Sequence, residues 1–324
     1  MPDAGTFLRA VFFVGVLVVA GVFGAVTGGP GGSAPAVDEL DAPSFNADEM
    51  VATAPEDAGE LTMSADASGE VVVIDAGHGA DIKREALAPM VTTLTENGAT
   101  VKYHVGRRNG GRSLNASLAE ADAFVVLGAQ SRYTEAELDG LRAFSDAGGR
   151  VLVMNEPEKM SPAVSLFGIP TGSSAVPSPL GPVLSQYGMA YDNGYLFTQG
   201  EDTLNYRAVA ATPTGDGDLT EGVDRVVLYE ARPVTGAETA LSAEGVTLSQ
   251  TRREGSYGVV ARSGNVVAVG DTSVATQEFL YRADNEQLVG NLLDFLVSGE
   301  KSPERAPQEP DADSGTESGT ATPP

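Results

Sequence analysis

Val71-Val72-Val73-Ile74-Asp75-Ala76-Gly77-His78-Gly79 is the stretch that decides how this chain is read. Four β-branched residues in an unbroken run suit a strand buried on both faces, not one half exposed to water. The glycines behind them permit a tight turn. Outward from there, Leu87, Met90, Val91 and Leu94 recur at helical spacing, and Gly98 stands where a helix C′ glycine belongs. Val101–Val105 alternates like a strand nearer an edge, and Ala123–Leu127 is a second all-apolar run. Thr134 with Glu137 forms a capping box; Leu138, Leu141 and Phe144 face inward, and Gly148-Gly149 stops that helix before the strand Val151–Met154. Strands and helices alternating in this way predict a mostly parallel, doubly wound sheet with right-handed crossovers.

The second half is less regular. Pro170, Pro177, Pro179 and Pro182 predict a loop there. Arg225–Glu230, Val246–Thr251, Tyr257–Arg262 and Val266–Val269 read as strands, the last two joined by Ser263-Gly264 as an antiparallel hairpin. Asp284 ahead of Leu288, Leu292 and Leu296 predicts a closing amphipathic helix. The folded α/β domain therefore covers 70–299. Ahead of it, residues 10–26 carry no charge and are long enough for a hydrocarbon core, predicting a transmembrane anchor over 1–28. Arg9, the only base before the span, favours an extracytoplasmic domain on a single-pass chain in the cell membrane. Residues 29–69, rich in Gly, Pro, Ala and acid, read as a disordered tether, and 300–324 as a disordered acidic tail.

Composition removes whole classes of chemistry. With Lys+Arg 20 against Asp+Glu 45 the net charge is −25, which repels phosphate backbones and argues against nucleic acid as partner. Only four of the bases are lysines, and the acid excess is spread along the chain, as in proteins adapted to molar salt. With Cys 0 there is no disulfide, thiolate nucleophile or sulfur-ligated metal, and with His 2 no three-histidine site. No cofactor is implied.

The candidate site residues sit at strand ends, where open α/β sheets bind ligands. Asp75 and His78 follow the first strand and His104 ends the second, so two imidazoles and a carboxylate could converge there. Asp75-Ala76-Gly77-His78-Gly79 resembles the Asp-x-Gly-His-Gly signature of zinc-dependent cell-wall amidases, whose further ligands this chain lacks. The alternative is a glycine turn in which His78 bonds backbone groups. Gln130 and Ser131 close the third strand, but Ser131 lacks a Gly-x-Ser-x-Gly frame. Glu156 and Asp271 stand after later strands as ligand-binding carboxylates or as loop acceptors. Asn115-Ala116-Ser117 matches the glycosylation pattern within a predicted helix.

Taken together, Ile74-Asp75-x-x-His78, Leu94-Thr95-Glu96-Asn97-Gly98, Tyr133-Thr134-x-x-Glu137, Asn155-Glu156-Pro157, Gly270-Asp271-Thr272-Ser273 and Asn291-Leu292-Leu293-Asp294-Phe295-Leu296 resemble an uncharacterised domain-of-unknown-function family common in haloarchaeal membrane proteins. That family is related to gliding-motility-type auxiliary subunits of ABC transporters. The resemblance implies a flavodoxin-like or class I glutamine-amidotransferase-like three-layer sandwich without the catalytic Cys. It also implies a membrane-anchored, non-catalytic binding or scaffolding subunit whose partners are the bilayer and membrane proteins not yet identified. The other expectation is a metal-dependent hydrolase using Asp75, His78 and His104, with Glu156 as base.

Overall fold

Val71–Asp75 forms β1, and its burial explains the unbroken apolar run. Val72 and Ile74 enter one core while Val73 enters another on the opposite face. The same split holds in β3 (Ala123–Leu127) and β4 (Arg150–Met154): Val125, Leu127, Leu152 and Met154 join the first core, and Phe124, Val126, Val151 and Val153 the second. A strand with helices on both faces has no water-facing side, so polar alternation is absent. The computed structural model describes residues 59–79, 83–107, 110–157, 178–199, 205–302 and 307, with the backbone of 161–164 and 170–174. Residues 10–26 lie outside these, and no helix among the described residues is long and apolar enough to cross a membrane.

Helices α1 (Ala88–Glu96) and α5 (Asn285–Val297) cover the first core through Met90, Leu94, Leu288, Leu292 and Leu296. On the other face lie α2 (Leu114–Glu120), α3 (Glu135–Asp146) and the short α4 (Gly181–Ser185), contributing Leu114, Leu118, Leu141, Phe144 and Val183. The capping box at the start of α3 is present in both directions, Thr134 to the Glu137 backbone and Glu137 back to the Thr134 backbone. Gly98 takes φ 98° after α1, the left-handed conformation a C′ glycine supplies.

The sheet has a parallel centre and an antiparallel wing. β2 (Thr100–His104), β1, β3, β4 and β14 (Val266–Val269) run parallel in that spatial order. β13 (Arg253–Ser263) turns back on β14, and β12 (Glu238–Leu248), β9 (Ala208–Pro213) and β10 (Val226–Tyr229) extend the wing antiparallel, with β8 (Leu196–Phe197) also on β12. The expected hairpin is thus the inner edge of a larger antiparallel region. Two small pairs complete the strands: β7 (Ala190–Tyr191) with β11 (Val234–Thr235), and β5 (Ser161–Val164) with β6 (Pro170–Ser174). The latter replaces part of the proline-rich loop with a hairpin whose strand begins at Pro170, a position that needs no ladder donor.

Both ends assigned to disorder begin on the domain. Leu61, Met63, Ala65 and Ala67 alternate inward, and Ser64 and Ala65 donate backbone N–H groups to Asp294. The period-two apolar pattern lies hidden among acids, and the packed chain begins before Gly69. At the other end, Ser302 donates to the Ala147 carbonyl, and Lys301 Nζ donates to the carbonyls of Leu118, Ala119 and Ala121 where α2 ends. A lysine at that helix terminus satisfies carbonyls that have no intrahelical partner.

Candidate functional site

The turn after β1 is folded onto the turn after β3. His78 offers its carbonyl to the backbone N–H groups of Gln130 (2.9 Å) and Ser131 (3.1 Å), and Gly79 at φ 78° lets the chain leave against the Gln130 side chain. Gly77 is required by close approach: a Cβ there would lie 2.7 Å from the His104 ring and 3.0 Å from the Gly106 amide. Through these contacts Asp75, His78 and His104, all at carboxyl ends of parallel strands, come to one place.

Asp75 is buried at 3% exposure and is surrounded by donors. Its Oδ2 accepts from His78 Nδ1 at 2.8 Å and from Tyr133 Oη at 2.5 Å, while Oδ1 accepts from the Gly77 N–H at 2.9 Å. Because a carboxylate only accepts, His78 carries its proton on Nδ1. The Tyr133 ring stacks on the imidazole, centroids 3.7 Å apart. Nε2 of His78 then faces Glu137 Oε2 at 3.4 Å, where α3 begins. Burial alone would raise Asp75, but the hydrogen bond and charge of His78, with Tyr133 and Gly77, hold it below the ordinary carboxyl value. Burial would likewise lower His78; Asp75 and then Glu137 outweigh it and raise the imidazole. Burial carries Tyr133 well above the phenol range, with the Asp75 charge adding to it, so Tyr133 remains a donor. His104 goes the other way, lowered chiefly by burial.

This arrangement does not aim three ligands at one ion. The Asp75 oxygens are filled by protein donors, and His104 Nδ1 is paired with Ser117 Oγ at 2.9 Å. The imidazole centroids stand 6.4 Å apart, and among the described residues no three His, Asp or Glu side chains are grouped as a metal set. Among the described residues no hydroxyl bonds the His78 ring: Ser131 Oγ donates to the His78 carbonyl at 3.3 Å.

Glu156 and Asp271 meet elsewhere, at the ends of β4 and β14. Glu156 Oε1 accepts from Thr272 N at 3.1 Å and from its hydroxyl; Asp271, fully buried, accepts from Tyr229 N, Ser273 N and Ser273 Oγ. Burial, then the neighbouring Glu156 charge, pushes Asp271 up, and burial raises Glu156. The buried Arg232 ties this corner together, giving Nε and Nη2 to the Asp192 carbonyl and Nη1 to the Glu156 carbonyl. The two carboxylates thus lie side by side, apart from Asp75 and His78 in their bonding. Gln130 has an exposed side chain and contributes its backbone. Asn115 lies against the Cβ-less Gly140 with Oδ1 buried, and its Nδ2 donates to the Ala136 carbonyl at 3.4 Å.

Residues that the sequence reading passed over complete the site. A cleft of about 500 Å³ opens over His78 and His104, lined also by Arg107, Arg112, Arg132 and Glu137. Tyr133 precedes the α3 cap, where an apolar N′ residue is ordinary, so its hydroxyl gave no signal.

The chain belongs to the family described as Domain of unknown function (DUF4350), whose model matches residues 90–293. No curated protein matches it. Among solved structures, the mmIFT52 N-terminal domain is similar at TM-score 0.54 and 12% identity, over 71% of this chain and 99% of that one. That likeness concerns the fold. A thua-like protein from Parabacteroides merdae matches at TM-score 0.41 and 9% identity, over 72% of this chain and 91% of that one. Alpha-L-fucosidase isoenzyme 2 from Paenibacillus thiaminolyticus matches at TM-score 0.38 and 14% identity, over 72% of this chain and 33% of that one.

Proposed function

We propose that this chain is a membrane-anchored, non-catalytic binding or scaffolding subunit of a membrane-associated, transporter-related assembly in a halophile. One observation carries the reading: the polar groups at the strand ends are engaged with one another beneath an open cleft, and among the described residues no nucleophile is set before His78. A general base needs a proton to take within hydrogen-bond reach. Here the Asp75–His78–Tyr133 cluster instead fixes a rigid floor. The layered sheet supports a flavodoxin-like, glutamine-amidotransferase-like architecture, in which the turn after β3 would carry the nucleophile; this chain has Cys 0. The apolar stretch 10–26 supports a single-pass anchor with the domain outside the cytoplasm, and the charge of −25 supports life in high salt.

The test is fractionation of native membranes. The full-length chain stays in the pellet through an alkaline carbonate wash and co-purifies with a membrane protein after detergent extraction, whereas a chain lacking 1–28 does neither. Release of the full-length chain by carbonate, or substrate turnover that survives purification and disappears in His78→Ala, contradicts the reading.

A further inference from the structure

We infer that the cleft takes a small ligand carrying an oxyanion, a carboxylate or phosphate group held by arginine forks at its rim. This rests on the reading of the cleft as a binding site. The chain as a whole carries Lys+Arg 20 against Asp+Glu 45, yet the described residues lining this cleft include Arg107, Arg112 and Arg132 and a single carboxylate, Glu137. The local balance is opposite to the global one, so the arginines are not a sample of the ordinary surface.

Not all of them are spent on ion pairs. Arg112 is bound to Glu120 at 2.7 Å, but among the described residues no ion pair reaches Arg132. A guanidinium offers planar, forked donors that match a carboxylate or phosphate, and it is less strongly hydrated than an ammonium. At the floor, His78 is only 7% exposed and cannot rotate freely, because Asp75 holds Nδ1 and Tyr133 covers its face. Its Nε2 edge therefore faces the Glu137 side of the cleft in one orientation. That edge is held by Glu137, so the donors left for a ligand are the guanidinium groups of the rim. A volume of about 500 Å³ lies within the range of small-molecule sites and is too small for a folded partner.

Calorimetry on the detergent-solubilised full-length chain tests this, with pyrophosphate and succinate as compact dianions and glucose as a neutral probe. One or both dianions bind saturably at one site, pyrophosphate alone indicating phosphate and succinate alone carboxylate. Affinity falls about tenfold in Arg132→Gln, as expected for one lost charge-assisted contact. Arg253→Gln, an exposed change at the start of β13, leaves it unaltered. Absence of saturable dianion binding, an equal loss in both variants, or glucose binding that ignores Arg132 overturns the proposal. None of these outcomes alters carbonate-resistant membrane retention, so the ligand class and the anchored-subunit reading fail separately.

Discussion

Replacing Tyr133 by phenylalanine removes one atom from the floor of the cleft and leaves the rest in place. The ring is 6% exposed and stacks 3.7 Å from the His78 centroid, so its packing survives the change. What is lost is the hydroxyl that donates to Asp75 at 2.5 Å. A hydrogen bond to a charged group contributes about 1.5–3 kcal/mol. Asp75 keeps the His78 and Gly77 donors, so the lower half applies, about 2 kcal/mol. At roughly 2–4 °C per kcal/mol for a domain of this size, thermal unfolding shifts down by about 4–8 °C. The carboxyl of Asp75 is held below its ordinary value in the fold, so its contribution is present above the unfolded carboxyl pKa and is lost as pH falls through the folded one. The gap between Tyr133 and Tyr133→Phe is therefore full at neutral pH and closes in acid. Because the group is buried, the gap also persists from moderate to molar salt. Calorimetric melts at two salt concentrations and across pH measure all three. A loss below about 0.5 kcal/mol, or one that salt erases, would refute a charge-assisted bond here.

Other consequences are as direct. Proton NMR of the two imidazoles gives His78 a pKa above the usual histidine value and His104 one below it; Asp75→Asn lowers His78. By the same sign, His78 stabilises the fold fully below the unfolded histidine pKa, and this is lost as pH rises through its folded value. Glu156→Gln keeps the oxygen that accepts from Thr272 while removing the carboxyl beside the buried Asp271; chemical denaturation at pH 7 finds it neutral or stabilising, within about 1 kcal/mol. Gly270→Ala places a methyl 1.9 Å from the Arg232 carbonyl and destabilises by about 2 kcal/mol or more in the same assay.

Much of the parallel centre was legible because each strand is covered on both faces: β1, β3, β4 and β14 are short apolar runs that need no partner to be recognised. The α3 cap was legible because Thr134 and Glu137 are three residues apart. The antiparallel wing was harder to see. Register shifts between Thr239 and Leu241, and between Ala243 and Val246, break the alternation that would have marked β12 along its length. Residues 60–69 hid their apolar alternation among acids. Within the site, Asp75, His78 and His104 were found because they end strands. The Tyr133–Asp75 bond joins residues 58 apart in sequence, and the arginine rim is assembled from separate loops, so neither leaves a local pattern.

The sharpest measurement is the metal content of the purified full-length chain after incubation with zinc and exhaustive dialysis, compared with that of His78→Ala. If Asp75 and His78 are locked to each other as the floor of a binding cleft, zinc stays well below one equivalent and the substitution leaves it unchanged. A full equivalent that vanishes with the imidazole would mean the strand ends form a metal centre, and the non-catalytic subunit would give way to a hydrolase.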